Sequence, residues 1–183
     1  KDKIVYNSSV KGIDFATKSV LMSDGTSYSA EKIITTIPWV SLKHNNGVPS
    51  KINNHICKLK NNSIKVSYFD GSMDTSAHWI YYPSPNLSYH RKLIRHNFIV
   101  KGKGFWTETN NNRVSLNDDE SIFSHVNEFS YPINTINKPV IMKELLQWAR
   151  SCNVYGLGRW GEHEHYNSDV TVERAINLAD SFY

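Results

Sequence analysis

The stretch of this sequence that most constrains its fold is residues 153–183, where a short apolar strand, a glycine-rich turn and an amphipathic helix follow one another. The turn, residues 156–161, contains three glycines, so its backbone can approach a flat or charged group closely. Ser168 or Asp169 can cap the following helix, residues 170–182, whose N-terminal N–H groups then face the same place. This order predicts a helix end that is presented to a ligand.

The same stretch resembles the C-terminal flavin-contacting segment of the UDP-galactopyranose mutases and their relatives in the flavin amine oxidase superfamily. In that family a strand ends in a Gly-Arg-aromatic-Gly turn, passes a Tyr and an Asp, and enters the last helix beneath the isoalloxazine ring. The resemblance implies contacts with FAD. The residues at the matching positions and at the start of the helix are Gly158, Arg159, Trp160, Gly161, Tyr166, Asp169 and Val170.

The start of the chain carries a strong turn signal. Asp24-Gly25 lies between two strand-like runs, and this dipeptide favours a tight β-hairpin because both positions tolerate positive φ. Residues 32–37 then predict a buried strand that is stopped by Pro38. A small β-meander followed by a strand that ends in Thr-Thr-Ile-Pro resembles the point at which the superfamily chain leaves its cofactor domain for its substrate domain.

Three further runs predict an antiparallel sheet, at residues 64–69, 78–82 and 86–98. In the third run, two-residue periodicity places Tyr89 and Arg91 on one face. The order of residues 78–83, 89–91 and 97–98 resembles the mutase substrate domain. In that domain an aromatic-rich strand ends in Tyr-x-Pro or a variant, and a nearby aromatic-x-Arg supplies a cation to the substrate diphosphate.

By that resemblance Arg91 is the first candidate for phosphate binding and Arg159 the second. The candidates for stacking on a uracil or donating to phosphate are Tyr81, Tyr82, Tyr89 and Tyr166. Other interpretations stay open: Arg159 can equally form a structural salt bridge or be an exposed charge. Most of the ten tyrosines in the chain must serve the core or the surface.

The rest of the C-terminal half predicts a loop and two helices. Residues 101–120, with an Asn triplet and an acidic group, predict a loop or irregular hairpin, and 122–129 fits either a strand or a helix. Pro139 suits the first turn of a packing helix. The final helix is expected to bury one apolar face, made of Val172, Ala175, Ile176, Ala179 and Phe182.

Charge, histidines and cysteines narrow the classes of partner. The net charge of +4 and the pI of 9.0 suit an anionic partner such as a nucleotide diphosphate, but no basic cluster forms, so nucleic acid is not expected. His163 and His165 flank Glu164 without a third partner at familiar spacing, so no metal is expected. These residues are expected in the ligand-facing loop after Gly161, where they either hydrogen-bond substrate or are simply exposed. Cys57 and Cys152 are predicted to be reduced thiols.

The sequence has no apolar run of about 18 residues and no signal segment, which predicts a cytoplasmic protein without a membrane span. It begins at Lys1 rather than Met and enters a strand-like run almost at once, so we expect a piece of a longer protein. The Gly-x-Gly-x-x-Gly fingerprint that cradles the FAD pyrophosphate is absent from it. This chain alone is therefore not expected to hold FAD tightly or to be active.

No nucleophile–base pair, paired catalytic carboxylates or phosphate-cradling lysine loop is visible, so no catalytic residue is assigned and any catalysis would belong to a cofactor. The predicted fold is α+β. Residues 1–38 and 139–183 would form the β-meander and C-terminal helix of an incomplete FAD-binding domain, and 39–138 a mostly antiparallel substrate-binding domain.

The resemblance implies a FAD-dependent enzyme that interconverts the pyranose and furanose forms of a UDP-sugar in polysaccharide biosynthesis. Its partners would be a nucleotide-sugar substrate and a missing N-terminal Rossmann half. An amine-oxidase-like flavin oxidoreductase and a non-catalytic module that binds a nucleotide sugar or glycan are the alternatives.

Overall fold

The computed structural model describes residues 4–99, 102–113 and 121–183. The chain divides into two compact units, Lys1–Lys60 with Pro132–Tyr183, and Asn61–Tyr131. The elements in chain order are β1 (Val10–Asp14), β2 (Ser19–Met22), β3 (Ser27–Ser29), β4 (Ile33–Thr35), β5 (His44–Asn46), α1 (Ser50–Lys58), β6 (Asn61–Phe69), β7 (Trp79–Tyr81), β8 (Tyr89–Ile94), β9 (Phe105–Asn110), β10 (Phe123–Pro132), α2 (Lys138–Ser151), β11 (Val154–Gly156), α3 (Gly158–Gly161) and α4 (Ser168–Asp180).

The unit boundaries differ from the predicted domain boundaries. Residues 39–60 and 132–138, which the sequence assigned to the substrate domain, belong by their contacts to the first unit. This is because α1 packs against α2, and both contribute to the core of that unit. The assignment of the two units to cofactor and substrate stays a prediction.

The first unit contains a sheet with the strand order β3-β2-β1-β5 among its described residues. Strands β2 and β3 pair antiparallel around the Asp24-Gly25 turn, where Gly25 has φ +90 and the Asp24 carboxylate accepts the N–H of Thr26 at 2.9 Å. The predicted hairpin is confirmed. Strand β5 adds to β1 in parallel, so the predicted meander extends into a mixed sheet.

A second, two-stranded sheet pairs β4 with β11 in parallel, with Val154 opposite Ile33 and Gly156 opposite Thr35. The strand predicted at 32–37 is thus present over a shorter range. The outward side chain of its middle residue, Ile34, is 48% exposed. This pair of strands brings the Thr-Thr-Ile-Pro segment beside the glycine turn.

The core of the first unit is apolar and centres on α2. Pro139 lies in its first turn, and Leu145 and Ala149 are completely buried, as their helical spacing predicts. Trp39, 1% exposed, lies in the same core. The residues buried together are Ile13, Phe15, Ile33, Trp39, Leu42, Ile52, Ile56, Leu59, Ile141, Met142, Leu145, Ala149 and Val154.

The last helix departs from its prediction. Helix α4 is amphipathic, but Val172 is 58% and Ile176 56% exposed, and no residue of this fully described helix is buried. The expected burial is therefore wrong for Val172 and Ile176. At the end of that face Phe182 contacts Tyr155 edge to face, with the ring centroids 4.9 Å apart, whereas Val172 and Ile176 stay exposed.

The second unit is built on a sheet with the strand order β10-β6-β9-β8-β7 in the described part of the chain. The pairs β6–β9, β8–β9 and β7–β8 are antiparallel, as predicted for this region. Of the ambiguous run 122–129, residues 123–129 form part of strand β10. Strand β9 occupies positions for which a loop was predicted, because Phe105, Trp106 and Thr107 are strong strand formers that outweigh the glycines before them.

The described residues contain no helix that is both long enough and apolar enough to cross a membrane.

Candidate functional site

One face of the second unit's sheet carries a lysine surrounded by aromatic rings. The Lys92 ammonium lies 4.7 Å from the ring centroid of Tyr89, 4.8 Å from that of Phe105 and 5.7 Å from that of Tyr82. Tyr82 and Tyr89 also contact each other edge to face, with their centroids 5.0 Å apart. We call Lys92, Tyr82, Tyr89 and Phe105 the Lys92 cluster. Such contacts stabilise a cation through the negative faces of the rings.

A β-bulge in β8 explains why Lys92 lies beside the tyrosines. The register of β8 against β9 shifts between Tyr89, opposite Thr109, and Arg91, opposite Glu108. The extra residue, His90, breaks the two-residue alternation. The predicted common face of Tyr89 and Arg91 is therefore wrong. Lys92 is the cation that shares a face with Tyr89, and a single-sequence pattern gives no sign of the inserted residue.

Arg91 lies on the opposite face, in an ion pair. Its Nε and Nη2 donate to Oε2 of Glu108 at 3.0 and 2.6 Å, and its Nη1 donates to the Tyr81 hydroxyl at 3.3 Å. The hydrogen bonds to Glu108 raise the pKa of the Arg91 guanidinium above its ordinary value, so it stays charged. The guanidinium thus has a carboxylate partner within the chain, and its role as a phosphate ligand stays a prediction.

Beneath the Lys92 cluster lie three buried hydroxyl side chains. Ser67 is 0%, Thr109 1% and Thr107 3% exposed, and no described group hydrogen-bonds their hydroxyl oxygens. The registers place Thr107 directly between Lys92 on β8 and Ser67 on β6. Directly opposed residues in a sheet have Cβ atoms about 5 Å apart, so Thr107 is a near neighbour of the Lys92 stem, and Ser67 lies one strand further away. We call these three residues the hydroxyl floor.

In the first unit, the glycine turn packs backbone against backbone. A Cβ on Gly161 would lie 2.3 Å from the Thr35 carbonyl oxygen, and one on Gly156 would lie 2.1 Å from that of Gly161. The Gly161 carbonyl also accepts the Trp39 indole N–H at 2.8 Å. These two glycines are therefore required by contacts within the protein.

The N-terminal amide of the turn already has an anionic partner. Oε2 of Glu162 accepts the Gly158 N–H at 3.0 Å, and the same carboxylate pairs with the guanidinium of Arg174. Arg159 donates from Nη2 to the Tyr166 carbonyl at 3.0 Å, which closes the loop after the turn. The carboxylate of Glu162 thus accepts the hydrogen bond that an external anion could accept at this turn. The predicted cofactor contacts of Gly158 and Arg159 stay predictions.

The N-terminus of α4 lacks a side-chain cap among the described residues. Asn167 is the N-cap residue, and neither Ser168 nor Asp169 makes the predicted capping bond. Ser168 and Asp169 are exposed, and Val170 is half-buried. The first amides of this helix are consequently open to an external acceptor. Tyr166, on the approach to the helix, lies under the Arg174 guanidinium at 4.9 Å, and burial raises the pKa of its hydroxyl.

His163 is not in a ligand-facing loop. It is 1% exposed, and its Nε2 lies 3.0 Å from the Lys60 carbonyl oxygen. Burial lowers the pKa of its imidazole, which favours the neutral ring as donor to that carbonyl. The described residues hold no cluster of three or more side chains that could bind a metal ion. His163 is thus a structural residue.

The fold of this chain is shared with several known structures. It matches a reduced UDP-galactopyranose mutase over 84% of this chain and 40% of that one, with a TM-score of 0.69 and 18% identity. A CLA-producing fatty acid isomerase from P. acnes matches 97% of this chain and 48% of its own, with a TM-score of 0.72 and 12% identity. A protein assigned as a protoporphyrinogen oxidase from Exiguobacterium sp. 255-15 matches with a TM-score of 0.57, 11% identity and coverages of 90% and 43%.

No protein-family model matches the sequence, and no curated protein is significantly similar to it. The chain spans 40–48% of the length of the three structures. Both the predicted α+β fold and the predicted resemblance to part of the mutase and oxidase fold are confirmed.

Proposed function

We propose that this chain is the C-terminal part of a FAD-dependent enzyme that interconverts the pyranose and furanose forms of a nucleotide sugar. The observation that carries the proposal is the fold shared with a UDP-galactopyranose mutase over 84% of the chain. The Lys92 cluster supports it, because rings that can stack on a base and an ammonium that can meet a phosphate lie together on one sheet face.

The residues of the first unit fit one side of a flavin. The open amides at the start of α4 can accept an anionic or carbonyl oxygen, and Trp160 and Tyr166 are half-buried beside them in sequence. When bound, a reduced flavin would supply the electron pair that the sugar isomerisation requires. The chain's own contribution would be to orient the ring with Asp169 and Val170, and to hold the substrate anion with cations.

Support for a missing Rossmann half comes from surfaces of the first unit. Parallel sheets normally have several strands and are covered on both faces, whereas β4 and β11 form only a pair, with Ile34 48% exposed. Helix α4 likewise leaves Val172 and Ile176 uncovered. A Rossmann half that carries the Gly-x-Gly-x-x-Gly loop would bury these surfaces and supply the pyrophosphate cradle.

Production of the whole encoded protein, beside this chain alone, tests the proposal. The whole protein should purify with stoichiometric flavin and, once reduced, convert UDP-galactopyranose to the furanose. This chain alone should be colourless. A stoichiometric flavin band in the chain alone, or a whole protein that fails to isomerise the sugar, would contradict the proposal.

A flavin-dependent oxidoreductase is the second candidate, favoured by the fold shared with the protein assigned as a protoporphyrinogen oxidase. Oxygen-dependent turnover of amines by the whole protein would identify it. A non-catalytic module would instead bind UDP without any flavin. Titration of UDP into Arg91→Ala and Arg159→Ala variants tests the two predicted phosphate ligands, and unchanged affinity in both would remove them from the site.

A further inference from the structure

Strand β7 lies at one edge of the second unit's sheet as the structure describes it. Antiparallel pairing with β8 makes successive residues of β7 point their backbone groups alternately towards β8 and away from it. The Ile94 N–H donates to the His78 carbonyl at 2.8 Å, so the residues that face β8 are His78 and Ile80. The N–H and C=O groups of Trp79 and Tyr81 therefore point outwards.

These four outward groups have no hydrogen-bond partner in the part of the chain that the structure describes. Their spacing matches the backbone of another extended strand, which is how a polypeptide adds to the edge of a sheet. Natural edge strands are commonly protected by a charged side chain, a proline or a bulge. Within Trp79–Tyr81 there is no such protection, and only the shortness of β7 limits pairing.

Exposed aromatic rings flank the open edge on one face of the sheet. Trp79 is 54%, Tyr81 61% and Phe98 51% exposed. The rings of Trp79 and Phe98 stack, with their centroids 6.4 Å apart and 24° between their planes. We call Trp79, Tyr81 and Phe98 the edge rings. An added strand would place every second side chain beside these rings, so apolar side chains at alternate positions fit them.

We propose that β7 accepts an extended segment of the encoded protein that lies outside this chain, with apolar side chains at alternate positions beside the edge rings. The fatty acid isomerase structure matches 97% of this chain, both units included, and this match is only 48% of its own length. A protein of that size has ample chain to supply a further strand. The inference rests on the proposed function only for the existence of the longer protein, and it concerns the second unit alone.

Two other states of the edge make different predictions. A second copy of this chain can pair through the same outward groups, which would protect their amides in a concentration-dependent way. An edge that stays open to water leaves the amides unprotected in every form of the protein. Hydrogen exchange of single amides separates these states from an added strand, because it measures whether each N–H has a lasting partner.

The first experiment measures amide hydrogen exchange, resolved to single residues, in this chain and in the whole encoded protein. We expect the amides of Trp79 and Tyr81 to exchange at least about tenfold more slowly in the whole protein. The Tyr82 amide, which donates to the His90 carbonyl, is the internal control and should be protected in both proteins. Equally fast exchange of Trp79 and Tyr81 in both proteins, or protection in this chain that disappears on dilution, would overturn the proposal.

A pair of variants tests the outward N–H itself. Trp79→Ala removes the ring, and Trp79→Pro removes the ring and the N–H without touching a bond to β8. The proline variant should melt below the alanine variant by a margin about 2–4 °C larger in the whole protein than in this chain. Ile80→Pro, which removes a bond to β8, should destabilise both proteins. The same margin between the two Trp79 variants in both proteins would mean that this N–H gains no partner.

These measurements are independent of flavin content and of isomerisation. Protected Trp79 and Tyr81 amides in a whole protein that does not convert UDP-galactopyranose would keep the added strand and remove the proposed function. A whole protein that isomerises the sugar while these amides stay open would keep the function and remove the added strand.

Discussion

At the scale of single residues, the two-residue period of the sequence placed Arg91 on the face of Tyr89, whereas the strand register places Lys92 there. Arg91 was expected to face a ligand beside Tyr89. Its guanidinium pairs with Glu108 on the neighbouring strand β9, and Lys92 is the cation beside the rings of Tyr82 and Tyr89. The role of Arg91 as a phosphate ligand stays a prediction. The two cations are adjacent in sequence, so only the strand register decides which of them faces Tyr82 and Tyr89.

The buried imidazole of His163 should make the stability of the chain depend on pH. Because burial lowers its pKa in the folded state, the unfolded chain binds a proton more readily. The free energy of unfolding should therefore be highest above the ordinary histidine pKa of about 6.5 and should fall as the pH decreases below it. Each pKa unit by which the folded value lies below the unfolded value corresponds to about 1.4 kcal/mol of unfolding free energy.

Urea unfolding of the parent chain and of His163→Asn between pH 7.5 and 5.5 measures this dependence. Asparagine suits the substitution because residue 163 has φ +52, a left-handed conformation that it tolerates. The variant should show a shallower pH dependence, whereas His165→Asn, at an exposed histidine, should behave as the parent does. Equal slopes in the parent and in His163→Asn would show that His163 is not the responsible group.

At the scale of elements, the glycines of the turn have two possible explanations, close approach to a cofactor and close packing within the chain. The three glycines predicted close approach to a cofactor, but Gly156 and Gly161 approach Thr35 and each other. A glycine pattern indicates that there is no room for a Cβ, but it does not show whether a ligand or the protein backbone occupies that position. The two explanations predict different behaviour of the chain without ligand.

Gly161→Ala tests the explanation by internal packing. Its Cβ would lie 2.3 Å from the Thr35 oxygen, so the backbones of α3 and β4 must separate, and we expect a loss of about 3 kcal/mol in unfolding free energy. Gly25→Ala is the control: its Cβ meets open space, and only the φ of +90 opposes it, at about 1 kcal/mol. A Gly161→Ala chain as stable as the parent would leave the ligand as the reason for that glycine.

Local signals predicted several elements well. The Asp-Gly hairpin, the Pro139 helix and the strands of the second unit follow from turn chemistry and periodicity, which act over a few residues. Strand β9 and the exposure of α4 could not be predicted in this way, because they depend on which other elements are present. The hydroxyl floor was missed for the same reason, since it is assembled by pairing β8, β9 and β6.

At the scale of the whole molecule, the exposed side chains Val172 and Ile176 of α4 should matter little for this chain alone and more in the whole encoded protein. Val172→Gln with Ile176→Gln replaces exposed side chains, so the unfolding free energy of this chain alone should change by less than about 0.5 kcal/mol. In the whole encoded protein, burial of both side chains would make the same pair of substitutions cost about 3 kcal/mol. Flavin content and thermal unfolding measure the difference.

Ile122→Gln is the control for this prediction, because Ile122 is 65% exposed and lies in the second unit. It should be neutral in both proteins. If the α4 variant of the whole protein is as stable and as yellow as its parent, the Rossmann half does not cover this helix. A marked loss of stability in the chain alone would instead mean that α4 is packed more closely than its exposure indicates.

The β-bulge at His90 also matters for any sequence alignment of this region. Residues before and after it follow the same two-residue period but in opposite phase. An alignment without a gap at His90 would therefore equate positions on the Lys92 face of the sheet in one protein with positions on the Arg91 face in another. Relatives should be aligned separately on each side of the bulge, with Lys92 and Thr107 as one anchor and Tyr89 and Thr109 as the other.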